Sequence, residues 1–300
     1  MAIPFPLPAN HWAKNAGLDV WMERVLERAD RVREGWKADD VHDLRVALRR
    51  CRTIADALRE VNPGPGWHKL KRASRDVFHA LGDLRDTQVL RARVKKLGGT
   101  ADPLRRRMLR LLSGLERKHR ESAEHALDDF DRKEWTNLAR KLISMSRFFP
   151  LNSVVYQRLA LARLNEAAEK YQQARRRRSS VAWHRLRIAL KNFRYLVENF
   201  LPQRYALWSD DLKRMQDLLG DVHDLDVLRQ QARRNTRQLN PALAAEWLER
   251  IERERQGHLQ EFLGKTTGPQ SPWLAWWAGF QQGHVLVTGA QPHGERRRSA

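Results

Sequence analysis

Residues 42–52 read His42-Asp43-Leu44-Arg45-Val46-Ala47-Leu48-Arg49-Arg50-Cys51-Arg52, and residues 184–194 read His184-Arg185-Leu186-Arg187-Ile188-Ala189-Leu190-Lys191-Asn192-Phe193-Arg194. The second stretch repeats the first 142 residues later, His on His, Arg on Arg, Leu on Leu and Ala on Ala. At about 100° per residue, His42, Arg45, Arg49 and Arg52 share a helical arc of roughly 80°. Leu44, Ala47, Leu48, Cys51, Ile54, Ala55 and Leu58 fill the neighbouring arc. His184, Arg187, Lys191 and Arg194 repeat the cationic stripe, and Leu186, Ala189, Leu190, Phe193, Leu196, Val197 and Phe200 repeat the apolar one. Each stretch is therefore expected to be a helix that buries one side and carries a ladder of positive charge along that side's edge. Ten helical residues span about 15 Å, room for several successive anionic groups.

Apolar residues recur at three- and four-residue spacing along nearly the whole chain, and alternating strand-like runs are almost absent, so the fold class is all-α. A second motif also recurs. Leu81-Gly82-Asp83-Leu84-Arg85-Asp86 corresponds to Leu219-Gly220-Asp221-Val222-His223-Asp224 at an offset of 138 residues. Two motifs in one order point to an internal duplication, with repeats at about 17–149 and 153–265 forming a single domain over 1–265.

Punctuation places the helices. A first helix is expected from Gly17 to Glu34, broken by Gly35; Asp39 or Asp40 would cap the first ladder helix, which ends before Asn62-Pro63. One helix is expected over Trp67–Leu97, and another after the Asp102-Pro103 cap pair, handing over near Asp131 and ending at Phe148-Phe149-Pro150. Helices follow over Val154–Arg177, from a Ser179 or Ser180 cap to Pro202, beyond Pro202, and from Pro241 to near Gly264. Residues 1–9 read as a proline-rich arm. Residues 266–300 form an extension in which Trp273, Trp276 and Trp277 can pack a short helix onto the bundle, with 296–300 expected to be disordered.

The chain has 57 Lys plus Arg against 36 Asp plus Glu, a formal charge of +21. Such a surplus attracts polyanions without choosing among nucleic acid, anionic membrane and polyphosphate. The single Cys51 has no internal disulfide partner and reads as a small core residue. The first residues lack a basic n-region and are broken by prolines, so they do not read as a signal peptide. No apolar run is long enough to span a bilayer, and a cytoplasmic protein is expected.

The two motif pairs together resemble the CHAD family, the conserved histidine α-helical domain. The residues that carry the resemblance are His42, Arg45, Val46, Arg49, Arg50 and Arg52 with Leu81, Gly82, Arg85 and Asp86. The second set is His184, Leu186, Arg187, Ile188, Lys191, Arg194 and Tyr195 with Leu219, Gly220, Asp221 and Asp224. Cys51 and Phe193 stand where the family often has Leu, and His223 where Asn or Arg is common. The resemblance implies two antiparallel four-helix bundles related by pseudo-twofold symmetry, with a basic channel or groove between them. It also implies binding of inorganic polyphosphate, sometimes at polyphosphate granules.

On that reading Arg45, Arg49, Arg50, Arg52, Arg187 and Arg194 offer forks to phosphate oxygens, with Lys191 as a point charge. His42 and His184 are expected to donate to phosphate and to gain positive charge on binding. Arg75 and Lys213, aligned at the 138-residue offset, are further candidate contacts. Gly82 and Gly220 are expected where a helix or the ligand approaches closely, and Asp86 and Asp224 are expected to orient ladder arginines. Lys71, Arg105, Arg106, Arg110 and the run 175–178 widen the basic surface.

Three other readings compete. His42, His184, Asp86 and Asp224 have metal-ligand chemistry, but the arginines around them oppose a cation, and no metal or cofactor is expected. Phosphoryl transfer to water needs carboxylate-held metal or a nucleophile, which neither ladder contains, so binding without catalysis is expected. Nucleic acid should bind only nonspecifically, because the ladders lack interleaved aromatics and no helix-turn-helix or RNP pattern is present. No membrane partner is expected, and the sequence names no protein partner.

Overall fold

A computed structural model of the chain describes residues 17–235 and 241–285. The proline-rich arm at 1–9 and the tail end at 296–300 lie outside these residues. Among the described residues the secondary structure is entirely helical, in the order α1 Leu18–Gly35, α2 Ala38–Val61, α3 Pro65–Ala73, α4 Arg75–Leu97, α5 Pro103–Asp128, α6 Arg132–Ser146, α7 Val154–Arg177, α8 Ser180–Phe200, α9 Pro202–Asn235, α10 Pro241–Thr266 and α11 Pro272–Val285.

Short connections make neighbours antiparallel. Four hairpins result: α1 with α2, α4 with α5, α7 with α8, and α9 with α10. The two ladder helices, α2 and α8, pack against one another, and α4 meets α9. The apolar interior does not divide at the boundary between the halves. One large cluster takes Leu44, Leu48 and Ile54 of α2 together with Leu186, Phe193 and Val197 of α8. A smaller one joins Leu90 and Val94 of α4, Leu104, Met108 and Leu112 of α5, Leu225 and Leu228 of α9, and Trp247 and Ile251 of α10. Cys51 is fully buried in the first cluster, as its place on the apolar arc predicts.

Several helix ends follow the expected chemistry. Asp102 caps α5, accepting from Leu104 N at 2.8 Å and Arg105 N at 3.1 Å. Asp131 caps α6 by accepting from Glu134 N, and Ser179 caps α8 by accepting from Ala182 N. Asp102 has a second duty, since its other oxygen accepts from Trp247 Nε1 at 2.6 Å and so ties the α4–α5 turn to α10. Asp102→Ala is expected to cost about 2–3 kcal/mol, the sum of a lost cap and a buried indole N–H left unpaired. Urea unfolding measures it, and a loss under 0.5 kcal/mol would show the tie to be idle.

Three expectations are revised. Gly35 lies inside α1, and the chain turns one residue later at Trp36, which closes the last helical bond to Val32 O and then leaves the helix with a left-handed φ of 53°. Lys37, not an aspartate, precedes α2, so Asp39 and Asp40 sit within the first turn, where their charge meets the positive end of the helix dipole. The single helix expected over 67–97 is jointed at Ser74. Arg52 Nη1 donates to Lys71 O at 2.6 Å, and the Ser74 hydroxyl donates back to Leu70 O at 2.9 Å. The Arg52 bond takes the Lys71 carbonyl, which an unbroken helix would offer to Arg75 N, whereas Leu70 O keeps its helical bond from Ser74 N at 3.2 Å; α3 and α4 divide there. The corresponding α9 runs unbroken.

After α10, α11 packs onto α7, α9 and α10. Trp273, Trp276 and Phe280 are buried there, with Trp276 5.4 Å from Phe193 between ring centroids. Among the described residues, no helix is long and apolar enough to cross a membrane.

Candidate anion-binding site

The ladder residues converge where α2 faces α8. Arg45 and Arg49 project from α2, and Arg187 and Lys191 from α8, each within electrostatic reach of residues on the other helix. Arg49 Nη1 donates to the Tyr195 hydroxyl at 2.8 Å, which fixes its fork. Arg45 pairs with Asp86 of α4 at 3.1 Å. Arg187 and Lys191 have no hydrogen bond or ion pair among the described residues, and Arg187 Nε is buried without a partner.

The cations lie close enough to oppose one another's charge. Burial lowers Lys191 to about 6, and Arg49, Arg187 and Arg45 add to the fall because each opposes a further positive charge. Burial also lowers Arg45 and Arg187, against upward pulls from Asp86 and Asp224 respectively. Burial raises Asp224, although Arg93 and Arg187 stand near it.

The histidines flank this centre. Partial burial, then Arg85, Arg49 and Arg45, lower His42 against a weaker upward pull from Asp43. His184 Nδ1 lies 3.1 Å from His223 Nδ1, so one ring donates and the other accepts. That bond requires one neutral Nδ1 acceptor. Burial, Arg187 and His184 bring His223 down to about 4, while His184 is lowered by burial, Arg187 and Lys191. Both rings border a groove of about 640 Å³ that Arg229, Arg233 and Arg234 of α9 also line.

The CHAD domain family matches residues 18–233. The chain belongs to the CHAD family. Its fold is also that of the CHAD domain from the plant Ricinus communis, whose crystal structure is 20% identical and covers 94% of this chain and 97% of that one, at a TM-score of 0.58. Comparison with curated proteins gives no match.

Within this CHAD domain the expected site residues separate into three groups. Arg45, Arg49, Arg187 and Lys191 gather at the α2–α8 face, with His42 and His184 each beside the ladder cations of its own helix. Arg50, Arg52 and Arg194 have structural partners instead. Arg50 is 7% exposed, pairs with Glu198, donates to Asn199 Oδ1 at 3.3 Å and stacks over Trp21 and Tyr195. Arg52 serves the Ser74 joint and lies over Phe78, and Arg194 pairs with Glu198 at 3.5 Å. Arg75 is open to solvent and pairs with the adjacent Asp76, and Lys213 is exposed on α9. Neither belongs to the central cluster.

Three contributors were not assigned a role at the site from the sequence. Tyr195 holds Arg49. Arg93 of α4 pairs with Asp221 and Asp224 of α9, joining the two helices. Arg93 lies seven residues after Asp86, hence on the same helical face, and that spacing was its one local signal. His223 was visible only as a departure from the family pattern. Asp86 does orient a ladder arginine, Arg45, while Asp224 takes Arg93. Among the described residues no group of three or more His, Cys, Asp or Glu is placed to hold a metal.

The two motif glycines differ. A Cβ on Gly82 would lie 3.3 Å from Arg45 Nη2, so Gly82 gives that guanidinium its place, whereas a Cβ on Gly220 would meet nothing within 4 Å. Gly220→Ala is expected to stabilise the fold by up to about 1 kcal/mol through helix propensity. Gly82→Ala should gain less, because Arg45 must shift off its Asp86 contact. Denaturant midpoints of the two variants compare them, and equal gains would contradict the crowding at Gly82.

Proposed function

We propose that this CHAD domain binds inorganic polyphosphate without turning it over, gripping successive phosphates between α2 and α8. The observation that carries the reading is the cluster of Arg45, Arg49, Arg187 and Lys191, drawn from two facing helices and given too few carboxylates to neutralise it. An apolar or acidic surface would pack there at lower cost; concentrated cations suit an external polyanion. Arginine forks bind phosphate oxygens in pairs, and the tyrosine that pins Arg49 reduces the freedom lost on binding. Association with polyphosphate granules follows if granule polymer can reach the α2–α8 face.

Titration of the protein with long-chain polyphosphate at about 0.15 M salt, with duplex DNA as competitor, tests the proposal. Binding that equal phosphate concentrations of DNA do not displace supports a dedicated polyphosphate site. Equal competition would make the ladders a general basic surface and favour nonspecific nucleic-acid binding.

The proposal also carries a pH dependence. Lys191 at about 6 and the lowered His42 and His184 are largely neutral at pH 7.5 in the free protein. A bound polyanion favours their charged forms and raises their values, so binding takes up protons. Affinity should therefore strengthen as pH falls from 8 to 6 and level off once the free protein is itself protonated. Calorimetry in buffers of differing ionisation enthalpy counts the protons; no uptake at pH 7.5 would contradict the assignment.

A further inference from the structure

Lys191, like Arg187, has no hydrogen bond or ion pair among the described residues, and it alone in the cluster of Arg45, Arg49, Arg187 and Lys191 carries a primary amine. Its helical neighbours at one turn on either side are Arg187 and Tyr195, and residues four apart on a helix have Cβ atoms about 6 Å apart. The Tyr195 hydroxyl in turn positions the Arg49 fork of α2. The charged groups that face Lys191 are Arg45 and Arg49 from α2, Arg187 from its own helix and Asp86 from α4. Asp86 is engaged by Arg45 and does not approach the amine within ion-pair distance. The result is a primary amine, only partly open to solvent, walled by guanidiniums.

Two properties meet at this amine. A lysine flanked by other cations and removed from water keeps its lone pair free at neutral pH, which makes it a nucleophile. The groups that free the lone pair are themselves phosphate-binding forks. A small molecule that carries both a phosphate and an electrophilic carbon would be drawn in by one feature and attacked by the other.

We propose that Lys191 is a covalent modification site that takes an acyl group from small acyl phosphates held by Arg49 and Arg187. This rests on the anion-binding reading above, since the same guanidiniums must grip the reagent. The Lys191 Nζ lone pair attacks the acyl carbon and forms the C–N bond, and the bond from that carbon to the phosphate oxygen breaks. Inorganic phosphate leaves with the electron pair and takes the proton that the nitrogen sheds, so no further reactant is required. The product is a neutral amide. It can no longer accept a proton when polyphosphate arrives, and its added bulk crowds the α2–α8 face, so acylated protein would bind polyphosphate more weakly.

The test uses the full chain with acetyl phosphate at pH 7.5, followed over time by peptide mass spectrometry. Lys213, exposed on α9, is the internal reference. An ordinary lysine near pKa 10.4 is about 0.1% neutral at that pH, and a lower pKa offsets part of its advantage by weakening the nucleophile. Lys191 is therefore expected to acetylate on the order of tenfold faster than Lys213. The uncharged N-hydroxysuccinimide ester of acetate provides the second arm, and with it the preference for Lys191 should shrink severalfold. Acetylation of Lys191 no faster than Lys213 would overturn the proposal, and an equal preference with both reagents would overturn the phosphate grip. A polyphosphate titration of untreated protein separates the two readings. Tight polyphosphate binding with a sluggish Lys191 defeats this inference alone, whereas selective acylation without polyphosphate binding supports the modification site and defeats the ligand assignment.

Discussion

Replacing Arg187 by Gln and Lys191 by Met is expected to weaken polyphosphate binding roughly a thousandfold at 0.15 M salt. Each cation lost removes a charge-assisted contact of about 2 kcal/mol, and the two together account for about 4 kcal/mol. The same pair should leave the protein at least as stable as the parent. Neither side chain makes a hydrogen bond or ion pair among the described residues, and both substitutions keep most of the buried stem. The pH profile sharpens this. Lys191 lies at about 6 in the fold against about 10.4 in an unfolded chain, so the unfolded chain holds the extra proton between those values. Stability of the free protein therefore declines as pH falls from about 10 to about 6, and the penalty is fully present below that. Substituting Lys191 removes this slope. Titration and thermal melts at pH 6 and 9 check both arms, and parental affinity in a folded double variant would show that the α2–α8 face is not the site.

Arg50→Ala is expected to do the reverse, costing about 3–5 kcal/mol of stability while leaving polyphosphate affinity within about twofold. Arg50 bridges α2 to Glu198 and Asn199 of α8, and its guanidinium lies 5.1 Å from the ring centroids of both Trp21 and Tyr195. Removing it leaves Glu198 in a buried setting with Arg194 and Tyr205 as its remaining partners and opens a void between two aromatic rings. The measurement is urea unfolding followed by a binding titration below the midpoint. A loss under 1 kcal/mol would mean that water or Arg194 replaces Arg50, and a large affinity loss with intact stability would return Arg50 to the binding surface.

The contrast between Arg49 and Arg50 shows what was legible in the chain. The helical period places Arg49 on the cationic arc with Arg45, and it rotates Arg50 by about 100° toward the buried side. Charge and the family motif alone grouped Arg50 with the ligands; the period argued otherwise. Helix ends were legible where a cap acts on its own first turn, as at Asp102 and Ser179. They were not legible at Ser74, because the joint depends on Arg52 reaching across from another helix. Arg52 sits on the cationic arc, and nothing within its own helix shows that a carbonyl 19 residues away will claim it. Likewise Arg93 meets Asp221 and Asp224 over separations of 128 and 131 residues, which no local pattern encodes. Periodicity reveals which side chains share a face. Which of them are already spoken for depends on contacts between helices far apart in sequence.

The smaller apolar cluster has a consequence for the order in which the chain is made. Leu90, Val94, Leu104, Met108 and Leu112 are covered by Leu225, Leu228, Trp247 and Ile251. During synthesis the α4–α5 hairpin is complete about a hundred residues before those covering side chains exist. At about 5–20 residues per second, its apolar stripe is without its partner for on the order of ten seconds. The α2–α8 contact imposes a similar wait on Arg50, which stays without Glu198 until α8 arrives. The first half is thus a provisional structure on the ribosome, completed by arrival of the second, and that interval is when the nascent chain most needs shielding from others like it.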